Sequence, residues 1–453
     1  MRKMEKAETL QKVIAKQADY IVSLKYEDLS EKAVENAKMI LLDSIGCMAA
    51  GNVQYDSSGL EEGTYTIVGA GKTDKENAVF MNGAAMVKNE LDEGNQFAFG
   101  HPACHIIPAL LAEAEKKKHT GKEIITALVA AYEVSCRWGC SVKIKPQMHV
   151  HGTMQTVGAA AVSCKLNGCN REQTQMAMIT ANSLPQTTSW ASAFGGDQLR
   201  NAYIGMSNCV GMQAFRMNRA GVTGSISTLE HIWKEVLEGS IDLEALIKDL
   251  GKDYYIEKNY YKLHSACRYI HSFADMIMEF MSQGLKAEEV EEIQIETYQA
   301  ASKLGGQEAV NSFAMRFSIP VSLAVCMVFG DLSIENVTDE HVNDLRVLQL
   351  AKKIHVTENK VFTSKLPKIR ENKMTVKMMN GQVFCKDALT TKGDYLEPFS
   401  KEELIGKFNK ITKGVWSEER RKEIIGFFDQ LEANEEFAEV FRLLVKIQEG
   451  KIC

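Results

Sequence analysis

The stretch NELDEGNQFAFGHPACH, residues 89–105, leads directly into IIPALLAEAE, residues 106–115. The second part has apolar residues at three- and four-residue spacings, which predict a buried helix. The first part contains a cluster of acids and histidines, namely Glu90, Asp92, Glu93, His101 and His105. The whole chain has 10 histidines. Such a cluster at the start of an apolar helix provides the groups needed for acid–base chemistry on carbon or for a metal site.

The helical pattern continues on both sides of this stretch. Apolar residues recur with helical spacing in residues 8–50, 121–140, 152–166, 171–182 and 204–218, and again from residue 400 to the end. Small residues such as Gly158, Gly205 and Gly211 would allow these helices to pack closely. The two ends of the chain therefore predict one large helical domain.

The pattern changes near residue 260. EVEEIQIETY, residues 289–298, alternates charged and apolar residues, which predicts a half-buried strand. KMTVKMMNGQVFC, residues 373–385, predicts a hairpin around Asn380-Gly381, a pair typical of a type I′ turn. We predict a mainly α fold in which residues 1–265 and 395–453 form an all-helical domain. Residues 266–394 would form a smaller α+β lid domain, inserted before the C-terminal helices.

Composition argues against several classes of protein. The net charge of the 453-residue chain is −6 and no Lys/Arg block occurs, so we expect no nucleic-acid partner. We expect no membrane span, because no window approaches about 18 uncharged apolar residues. The charged N-terminus lacks the apolar stretch of a signal peptide. The 11 cysteines lack paired metal-binding spacings, which predicts reduced thiols in a cytoplasmic protein.

Three further polar stretches interrupt the apolar pattern. HVHGT, residues 149–153, precedes a helix of small residues, and main-chain N–H groups at Gly152 and Thr153 would favour an anion there. The Gly-rich turn GGDQL, residues 195–199, leads to Arg200. KLHSACRYIH, residues 262–271, combines two cations with two histidines: Lys262, Arg268, His264 and His271.

Each stretch also has a plainer interpretation. A histidine before a helix is often a cap or a satisfied core group, and Arg200 alone would be a surface ion pair. His149 and His151 share one face of an extended segment and would suit a metal, but no third ligand at a fixed spacing accompanies them. The acids of residues 90–93, taken alone, would form a solvated face.

Taken together, these acids, histidines and cations suit the removal of a proton from a carbon next to a carboxylate. Cations would hold carboxylates and stabilise enolate-like charge, while a histidine or an acid would move protons. No motif for a nucleotide, flavin or pyridoxal group appears.

Several segments resemble the MmgE/PrpD family, in the family's order and over nearly the whole chain. They are LLDSIGCMAAG at 41–51, the stretch 89–115, HGT at 151–153 with GAAAVSCKLNG at 158–168, RNAYIGMSNCVGMQAFRMNRAGVTG at 200–224, KLHSACRYIH at 262–271 and RFSIPVSLAV at 316–325. The family includes 2-methylcitrate dehydratase, cis-aconitate decarboxylase and iminodisuccinate epimerase.

The resemblance implies a homodimer whose metal-free, cofactor-independent active site lies in the cleft between the helical domain and the lid. It also implies that a small di- or tricarboxylate loses a proton α to a carboxylate. We expect a dehydration like that of 2-methylcitrate dehydratase. Epimerisation, decarboxylation and an inactive carboxylate-binding member are the alternatives.

The resemblance also assigns residues. The acidic position falls at Glu90 or Asp92, and the His-Pro histidine is His101. The predicted catalytic residues are His101, His151, Asp92, Glu90 and Lys262. The predicted substrate-binding residues are Arg200, Arg268, Thr153, His264 and Tyr203.

The chain departs from the family pattern at three places. ELDEGN precedes the His-Pro pair where dehydratases and decarboxylases read like DYDDTH, and this version resembles the iminodisuccinate epimerase-like branch more closely. Tyr203 stands where the family has a histidine, three residues after Arg200. His264 and Ser265 replace the Tyr and second Pro of a KPYPSCR-like motif.

Overall fold

The structure is a computed structural model that describes residues 2–445. Most of these residues are helical, as the sequence predicts. The helical stretch predicted after residue 400 runs past residue 445, and its last part lies outside the described residues. Among the helices in the described range, none combines the length and apolar character that a membrane span requires.

Helices build both ends of the chain and alternate with strands in between. The helices before residue 260 are α1 Arg2–Ser23, α2 Glu31–Asn52, α3 Lys75–Met86, α4 Ile107–Ala114, α5 Gly121–Ser141, α6 Val157–Leu166, α7 Arg171–Asn182, α8 Trp190–Phe194, α9 Leu199–Arg219 and α10 Ile226–His231. Those that follow are α11 Arg268–Ser282, α12 Gln299–Ser302, α13 Ser312–Met315, α14 Ile319–Phe329, α15 Asp339–Val342, α16 Leu345–Ala351 and α17 Lys360–Ser364. Those after residue 395 are α18 Lys401–Thr412, α19 Glu418–Asp429 and α20 Phe441–Leu444.

The strands form short ladders and one larger sheet. They are β1 Tyr65–Thr66, β2 Lys72–Thr73, β3 Gly94–Asn95, β4 Val142–Lys143, β5 Ser240–Ile241, β6 Asn259–Tyr260, β7 Val290–Thr297, β8 Ile354–Glu358, β9 Asn372–Met378 and β10 Val383–Ala388. The short ladders pair β1 with β2, β4 with β5, and β3 with β6. The larger sheet has the order β10-β9-β7-β8, in which β7 and β8 are parallel and the other neighbours antiparallel.

Side chains at the helix starts explain where several helices begin. Ser30 caps α2, because its hydroxyl accepts a hydrogen bond from the Ala33 N–H at 3.0 Å. Thr120 caps α5, and Glu123 reaches back to the Thr120 N–H at 2.8 Å in a reciprocal capping box. These contacts satisfy N–H groups that have no partner inside their own helix.

The two ends of the chain share one hydrophobic core. Phe408 of α18 packs on Gly46 of α2, where an added Cβ would lie only 2.9 Å from the Phe408 ring. Lys407 of α18 is buried, forms an ion pair with Asp43 at 2.5 Å and donates to the Leu91 main-chain oxygen at 2.6 Å. The C-terminal helices therefore support the segment that carries the acidic cluster.

A second hydrophobic core lies between α11, α14 and one face of the larger sheet. Val290, Ile293 and Ile295 of β7 are buried and alternate with more exposed residues, with a bulge between Val290 and Glu292. The strand predicted from EVEEIQIETY is therefore confirmed. The core residues of this cluster all fall between residues 266 and 384.

The hairpin of β9 and β10 exists as predicted, but its turn differs. A type I′ turn would need positive φ at both Asn380 and Gly381. Among the described residues only Gly381 of this pair has positive φ, at 85°, and its N–H donates to the Met378 oxygen at 2.9 Å. The predicted type I′ turn is therefore wrong, because the extra residue Met379 lengthens the loop and moves Gly381 to its last position.

The separate cores support the proposed division of the chain into a helical domain, residues 1–265 and 395–453, and a lid domain, residues 266–394. The exact boundaries stay a prediction. The two parts meet near the acidic cluster, where Gln96 Nε2 donates to the Lys368 main-chain oxygen at 3.3 Å. Within the helical part, the β3–β6 ladder pairs Gly94 with Tyr260. A Cβ at Gly94 would lie 2.3 Å from the Tyr260 hydroxyl, so only glycine allows this close approach.

Candidate functional site

Segments from distant parts of the chain meet around a small cavity. The acidic cluster follows α3, the His149–Thr153 segment precedes α6, Arg200 lies in the first turn of α9, and Lys262 follows β6. The cavity measures about 60 Å³, and its wall includes Glu90, His101, His149, Arg200, Arg268 and Arg370. Two larger surface depressions, of about 400 and 490 Å³, contain none of these residues.

Buried ion pairs connect the acidic cluster to two cations. The Lys262 ammonium lies 3.3 Å from Glu90 Oε2 and 3.1 Å from Asp92 Oδ1. Arg200 Nη1 contacts the other oxygen of Glu90. All four side chains are at most 2% exposed, so their charges interact strongly and must balance. The structure thus brings together four of the predicted site residues.

Charge pairing fixes the protonation states of Asp92 and Lys262. Burial alone would raise the pKa of Asp92, but Lys262 and His101 outweigh burial and hold it well below its usual value. Burial alone would lower the pKa of Lys262, but Asp92 and Glu90 outweigh it and raise it. Both groups are therefore charged at neutral pH.

His101 is held between two oxygen acceptors. Its Nδ1 lies 2.8 Å from the Glu93 main-chain oxygen and 2.9 Å from Asp92 Oδ2. Neither oxygen can donate a hydrogen bond, since Asp92 is ionised, so Nδ1 carries the proton. The lone pair of neutral His101 therefore lies on Nε2, which has no hydrogen-bond partner within residues 2–445. This tautomer makes Nε2 a base at the cavity.

His151 lies beside His101 and Arg200. The ring centroids of His101 and His151 are 5.1 Å apart, and His151 Nε2 is 3.5 Å from Arg200 Nη2. Burial, followed by the Arg200 charge, lowers the pKa of His151 well below its usual value. His151 is therefore neutral at pH 7, and an acid–base role for it stays a prediction.

His149 also faces the cavity, although the sequence suggested it only as half of a metal pair. Its Nδ1 accepts a hydrogen bond from the His151 N–H at 3.0 Å, so Nε2 carries the proton. Burial, followed by Arg200, lowers its pKa well below the usual value. Nε2 is buried without a partner among the described residues. His149 thus offers a neutral N–H donor.

Two buried groups near His101 support its position. His105 Nδ1 donates to the His101 main-chain oxygen at 2.9 Å, and its Nε2 accepts from the Gly152 N–H at 3.1 Å. Burial lowers the pKa of His105 to about 4, so it is neutral. Burial raises the pKa of Glu93 to about 8, although Tyr132 and the Ala103 N–H hydrogen-bond to its carboxyl.

The predicted anion site at the start of α6 is wrong in its helix boundary. α6 begins at Val157, not at residue 152. Gly152 has a φ of 78°, and its N–H is taken by His105. The Thr153 hydroxyl donates to the Val150 oxygen at 2.8 Å. These hydrogen bonds hold Gly152 and Thr153 in a turn, so the helix cannot begin at residue 152.

The remaining predicted binding residues have partners of their own. Arg268 forms an ion pair with Asp394 at 2.6 Å, and His264 Nε2 lies 2.8 Å from Asp275 Oδ1. The Tyr203 ring centroid is 6.4 Å from that of His149. Of these three, only Arg268 lines the cavity.

Asp92, His101 and His151 have ligand atoms within 4.8 Å of one another, which is compatible with a metal site. However, the Lys262 ammonium already lies 3.1 Å from Asp92, and the Arg200 guanidinium lies 3.5 Å from His151. These positive charges oppose a further cation. The residues fit a metal poorly, and a metal-free site stays our prediction.

No pattern in the sequence points to several of the residues that line the cavity. The aromatic side chains Trp190, Tyr260, Tyr269 and Phe317 form apolar walls, and Arg370 faces the cavity from the segment before β9. Arg370 stands alone between ordinary strand and loop residues, so no spacing in the sequence distinguishes it. His149 was visible in the HVH pattern, but its tautomer depends on a main-chain contact.

Comparison with known proteins finds similar domains over most of the chain. Residues 15–236 match the MmgE/PrpD N-terminal domain and residues 264–432 match the MmgE/PrpD C-terminal domain. A cis-aconitate decarboxylase of Aspergillus terreus is 20% identical over 441 residues, covering 89% of this chain and 89% of that protein. The cis-aconitate decarboxylase-like protein oryM of Aspergillus oryzae is 27% identical over 186 residues, or 37% of this chain and 39% of that protein. Because the two domain matches cover most of its length in the expected order, the chain belongs to the MmgE/PrpD family.

Proposed function

We propose that this chain is a cofactor-independent enzyme that transfers a proton at the carbon α to a carboxylate of a small di- or tricarboxylate. The observation that carries the proposal is the tautomer of His101, whose Nδ1 is fixed by Asp92 and the Glu93 oxygen. This arrangement leaves Nε2 at the cavity as a base. We propose dehydration of a hydroxy acid like 2-methylcitrate as the net reaction.

Asp92 would serve the base in two ways. It keeps the proton of neutral His101 on Nδ1, so that Nε2 can accept a substrate proton. When His101 becomes an imidazolium, the negative charge of Asp92, 2.9 Å from Nδ1, stabilises it. Lys262 does not line the cavity and would act through Asp92 and Glu90, as a positioning residue.

Dehydration also needs donors for the groups that gain negative charge. Arg200 lines the cavity and would stabilise a substrate carboxylate and its enolate form. The free Nε2–H of His149 would hydrogen-bond to the leaving hydroxyl. The proton that His101 has accepted can then pass to that hydroxyl, so that water leaves and a C=C bond forms.

Decarboxylation is the second candidate, and the named relatives favour it. In this reaction the bond between carbon and a carboxylate breaks, CO2 leaves, and the electron pair stays on the carbon. Protonated His101 would then deliver a proton to that carbon. The same residues serve both reactions, so the choice depends on the substrate that fits.

One incubation in D2O separates the candidates. The chain is supplied with 2-methylcitrate, citrate, cis-aconitate and iminodisuccinate, and products are followed by NMR together with CO2 release. Elimination or hydration supports dehydration, and CO2 release supports decarboxylation. Interconversion of stereoisomers with α-deuterium exchange, but without elimination or CO2 release, supports epimerisation. Binding without exchange or product across a broad panel would indicate an inactive carboxylate-binding member and refute catalysis.

The His101→Ala variant tests the role of the base. We expect turnover to fall by roughly 10²–10⁴-fold, because general acid–base catalysis contributes about that much. His355→Ala is the matched control, since His355 lies on β8 with a half-exposed side chain outside the cavity wall. Unchanged turnover in His101→Ala would rule out this role.

A homodimer and a cytoplasmic location remain predictions from the sequence. Sedimentation equilibrium over a range of protein concentrations would measure the mass of the assembly. A mass of one chain at all concentrations would contradict the homodimer.

A further inference from the structure

Two arginines reach the cavity from the lid part of the chain, and their surroundings differ. Arg268 is only 4% exposed, and both of its Nη atoms are engaged by nearby acceptors, while its Nε is buried without a partner among the described residues. Its Nη atoms donate to Asp394 Oδ1 at 2.6 Å and to main-chain oxygens of Tyr261, Thr391 and Lys392 at 3.1–3.2 Å. Its charge is therefore balanced without a ligand.

Arg370 has no such partners. The residue is 9% exposed, and its Nη1 is buried without a hydrogen-bond partner. No hydrogen bond or ion pair of its guanidinium occurs in the part of the chain that the structure describes. A buried guanidinium without a partner costs free energy. Among the described residues, none supplies an acceptor for this donor.

The guanidinium of Arg370 is held in place before any ligand binds. Its guanidinium carbon lies 5.5 Å from the ring centroids of both Tyr260 and Tyr269, so two aromatic rings hold it. Its main-chain oxygen accepts from Asn372 Nδ2 at 3.0 Å, and Asn372 Oδ1 accepts from Thr297 at 2.7 Å. A donor held in this way loses little freedom when it binds an anion.

The other cations around the cavity are paired with carboxylates, whereas Arg370 is not. Among the described lining residues the carboxylate is Glu90, which already pairs with Arg200 and Lys262. Asp394 pairs with Arg268 at 2.6 Å. Among the described residues that line the cavity, Arg370 is therefore the arginine without an ion-pair partner.

We propose that Arg370 binds a second carboxylate of the substrate, remote from the carbon at which His101 transfers the proton. The proposal rests on the proposed function, since it takes the substrate to be a carboxylate. It assigns a residue to the second carboxylate of the di- or tricarboxylate in the proposed function. Arg200 would hold one end near His101 while Arg370 holds the other from the lid.

Binding of a non-reacting tricarboxylate tests this assignment directly. Tricarballylate (propane-1,2,3-tricarboxylate) is titrated by calorimetry into the wild type, Arg370→Gln and Arg370→Lys at one ionic strength. We expect Arg370→Gln to weaken binding by roughly 10- to 100-fold, since charge-assisted bidentate pairs are among the strong hydrogen bonds. Arg370→Lys should lose part of the affinity, because it keeps the charge but not the planar fork.

Two controls separate binding from folding. Arg346→Gln removes an exposed arginine of α16 that pairs with Asp344, and it should bind tricarballylate like the wild type. Binding of butyrate, a monocarboxylate, followed by NMR line broadening, should be the same in Arg370→Gln and the wild type. Thermal unfolding shows whether each variant is folded. If Arg370→Gln does not fold, the tricarballylate affinity of Arg370→Lys decides instead.

Three results would overturn the proposal. They are an unchanged tricarballylate Kd in Arg370→Gln, an equal loss in Arg346→Gln, or no tricarballylate binding by the wild type up to about 10 mM. Failure of the proposed function looks different. If no substrate in the D2O panel reacts but tricarballylate binding depends on Arg370, the carboxylate assignment stands and the proposed catalysis fails.

Discussion

Lys262 carries its charge between two buried carboxylates, 3.3 Å from Glu90 and 3.1 Å from Asp92. Replacing one partner of a buried ion pair leaves an uncompensated charge, which costs far more than the pair contributes. Arg200 contacts only Glu90 among the two acids. Asp92 would therefore lose its nearest fixed positive charge in a Lys262 variant.

We predict that Lys262→Met lowers the free energy of unfolding by about 3–5 kcal/mol at pH 7. The depressed pKa of Asp92 stabilises the wild type above the usual carboxyl pKa, and this stabilisation disappears as pH falls through the lowered value. Without Lys262 the pKa of Asp92 should rise, so the deficit should shrink as the pH is lowered. Urea unfolding at several pH values measures both effects.

Lys386→Met is the matched control for this prediction. Lys386 forms an ion pair with Glu279 in which both side chains are about 40% exposed. We expect a loss of about 1 kcal/mol or less, because exposed ion pairs contribute little. An equally small loss of stability in Lys262→Met would show that the buried carboxylates do not depend on Lys262 for charge compensation.

Glu93 should make the protein less stable as the pH rises. Its pKa is about 8 in the folded state against an ordinary value of 4.5, so the folded state keeps a proton that the unfolded state releases. Stability therefore falls between about pH 4.5 and 8, by at most about 1.4 kcal/mol per pH unit. Above pH 8 this contribution is constant.

Glu93→Gln isolates that effect because Gln resembles the protonated acid. Its oxygen can accept from the Ala103 N–H, and its amide can donate to the Tyr132 oxygen. We predict that the variant gains stability relative to the wild type as the pH rises from 5 to 8. Urea midpoints that run parallel across this range would show that Glu93 is ionised in the fold.

The sequence could identify the acids and His101 because they stand close together beside an apolar helix. It could not identify Arg370 or the proton positions on His149 and His101. These depend on contacts between residues far apart in the chain, such as the pairing of Tyr260 and Tyr269 around Arg370. No local pattern encodes such a contact.

At the level of elements, helix α9 carries Arg200 and packs against α3 through glycines. A Cβ at Gly83 would lie 2.9 Å from the Cα of Gly205, and a Cβ at Gly205 would lie 2.6 Å from the Phe80 oxygen. The two backbones are therefore in direct contact. This contact sets the distance between Arg200 and the acids that follow α3.

We predict that Gly205→Ala destabilises the protein by about 1–3 kcal/mol, because the added methyl group meets backbone that has no room to move. Gly406→Ala is the control, since Gly406 is exposed in α18 and a Cβ there has no atom within 4 Å. It should stabilise by about 0.5–1 kcal/mol. Chemical unfolding of both variants, with opposite signs expected, measures the contact. A gain in Gly205→Ala would show that the helices are further apart.

Elements were predictable where a periodic pattern is long, and less so at their ends. The strand β7 and the hairpin of β9 and β10 follow from alternation of apolar residues. The start of α6 does not, because the bond between Gly152 and His105 replaces a helical turn. That bond is made by a side chain 47 positions away in the chain.

For the whole molecule, the sequence indicated that both ends build one helical body, since apolar periodicity returns after residue 400. In the described residues, helices from both ends share one hydrophobic core, in which Phe408 packs on Gly46. The sequence could not give the size of the cavity. At about 60 Å³ the cavity is small. Pockets for small ligands measure roughly 300–1,000 Å³, so we predict that the lid part and the helical part move apart when a tricarboxylate binds.

Trp190 offers a signal for that motion. It lies in the cavity wall with its ring 4.1 Å from that of His149, whereas Trp138, Trp233 and Trp416 are buried in the large core. We predict that tricarballylate changes the fluorescence of Trp190. If opening must precede binding, the observed rate rises with ligand concentration and then reaches a plateau equal to the opening rate.

Stopped-flow mixing over a wide range of tricarballylate concentrations measures this dependence. Trp190→Phe should abolish the signal, and Trp416→Phe should retain it, since Trp416 packs against Phe408 away from the cavity. A rate that stays linear to the highest concentration would mean that the ligand reaches Arg200 and Arg370 without a prior opening. The plateau is expected because the closed cavity, with its walls of Tyr260 and Phe317, has no space for the ligand.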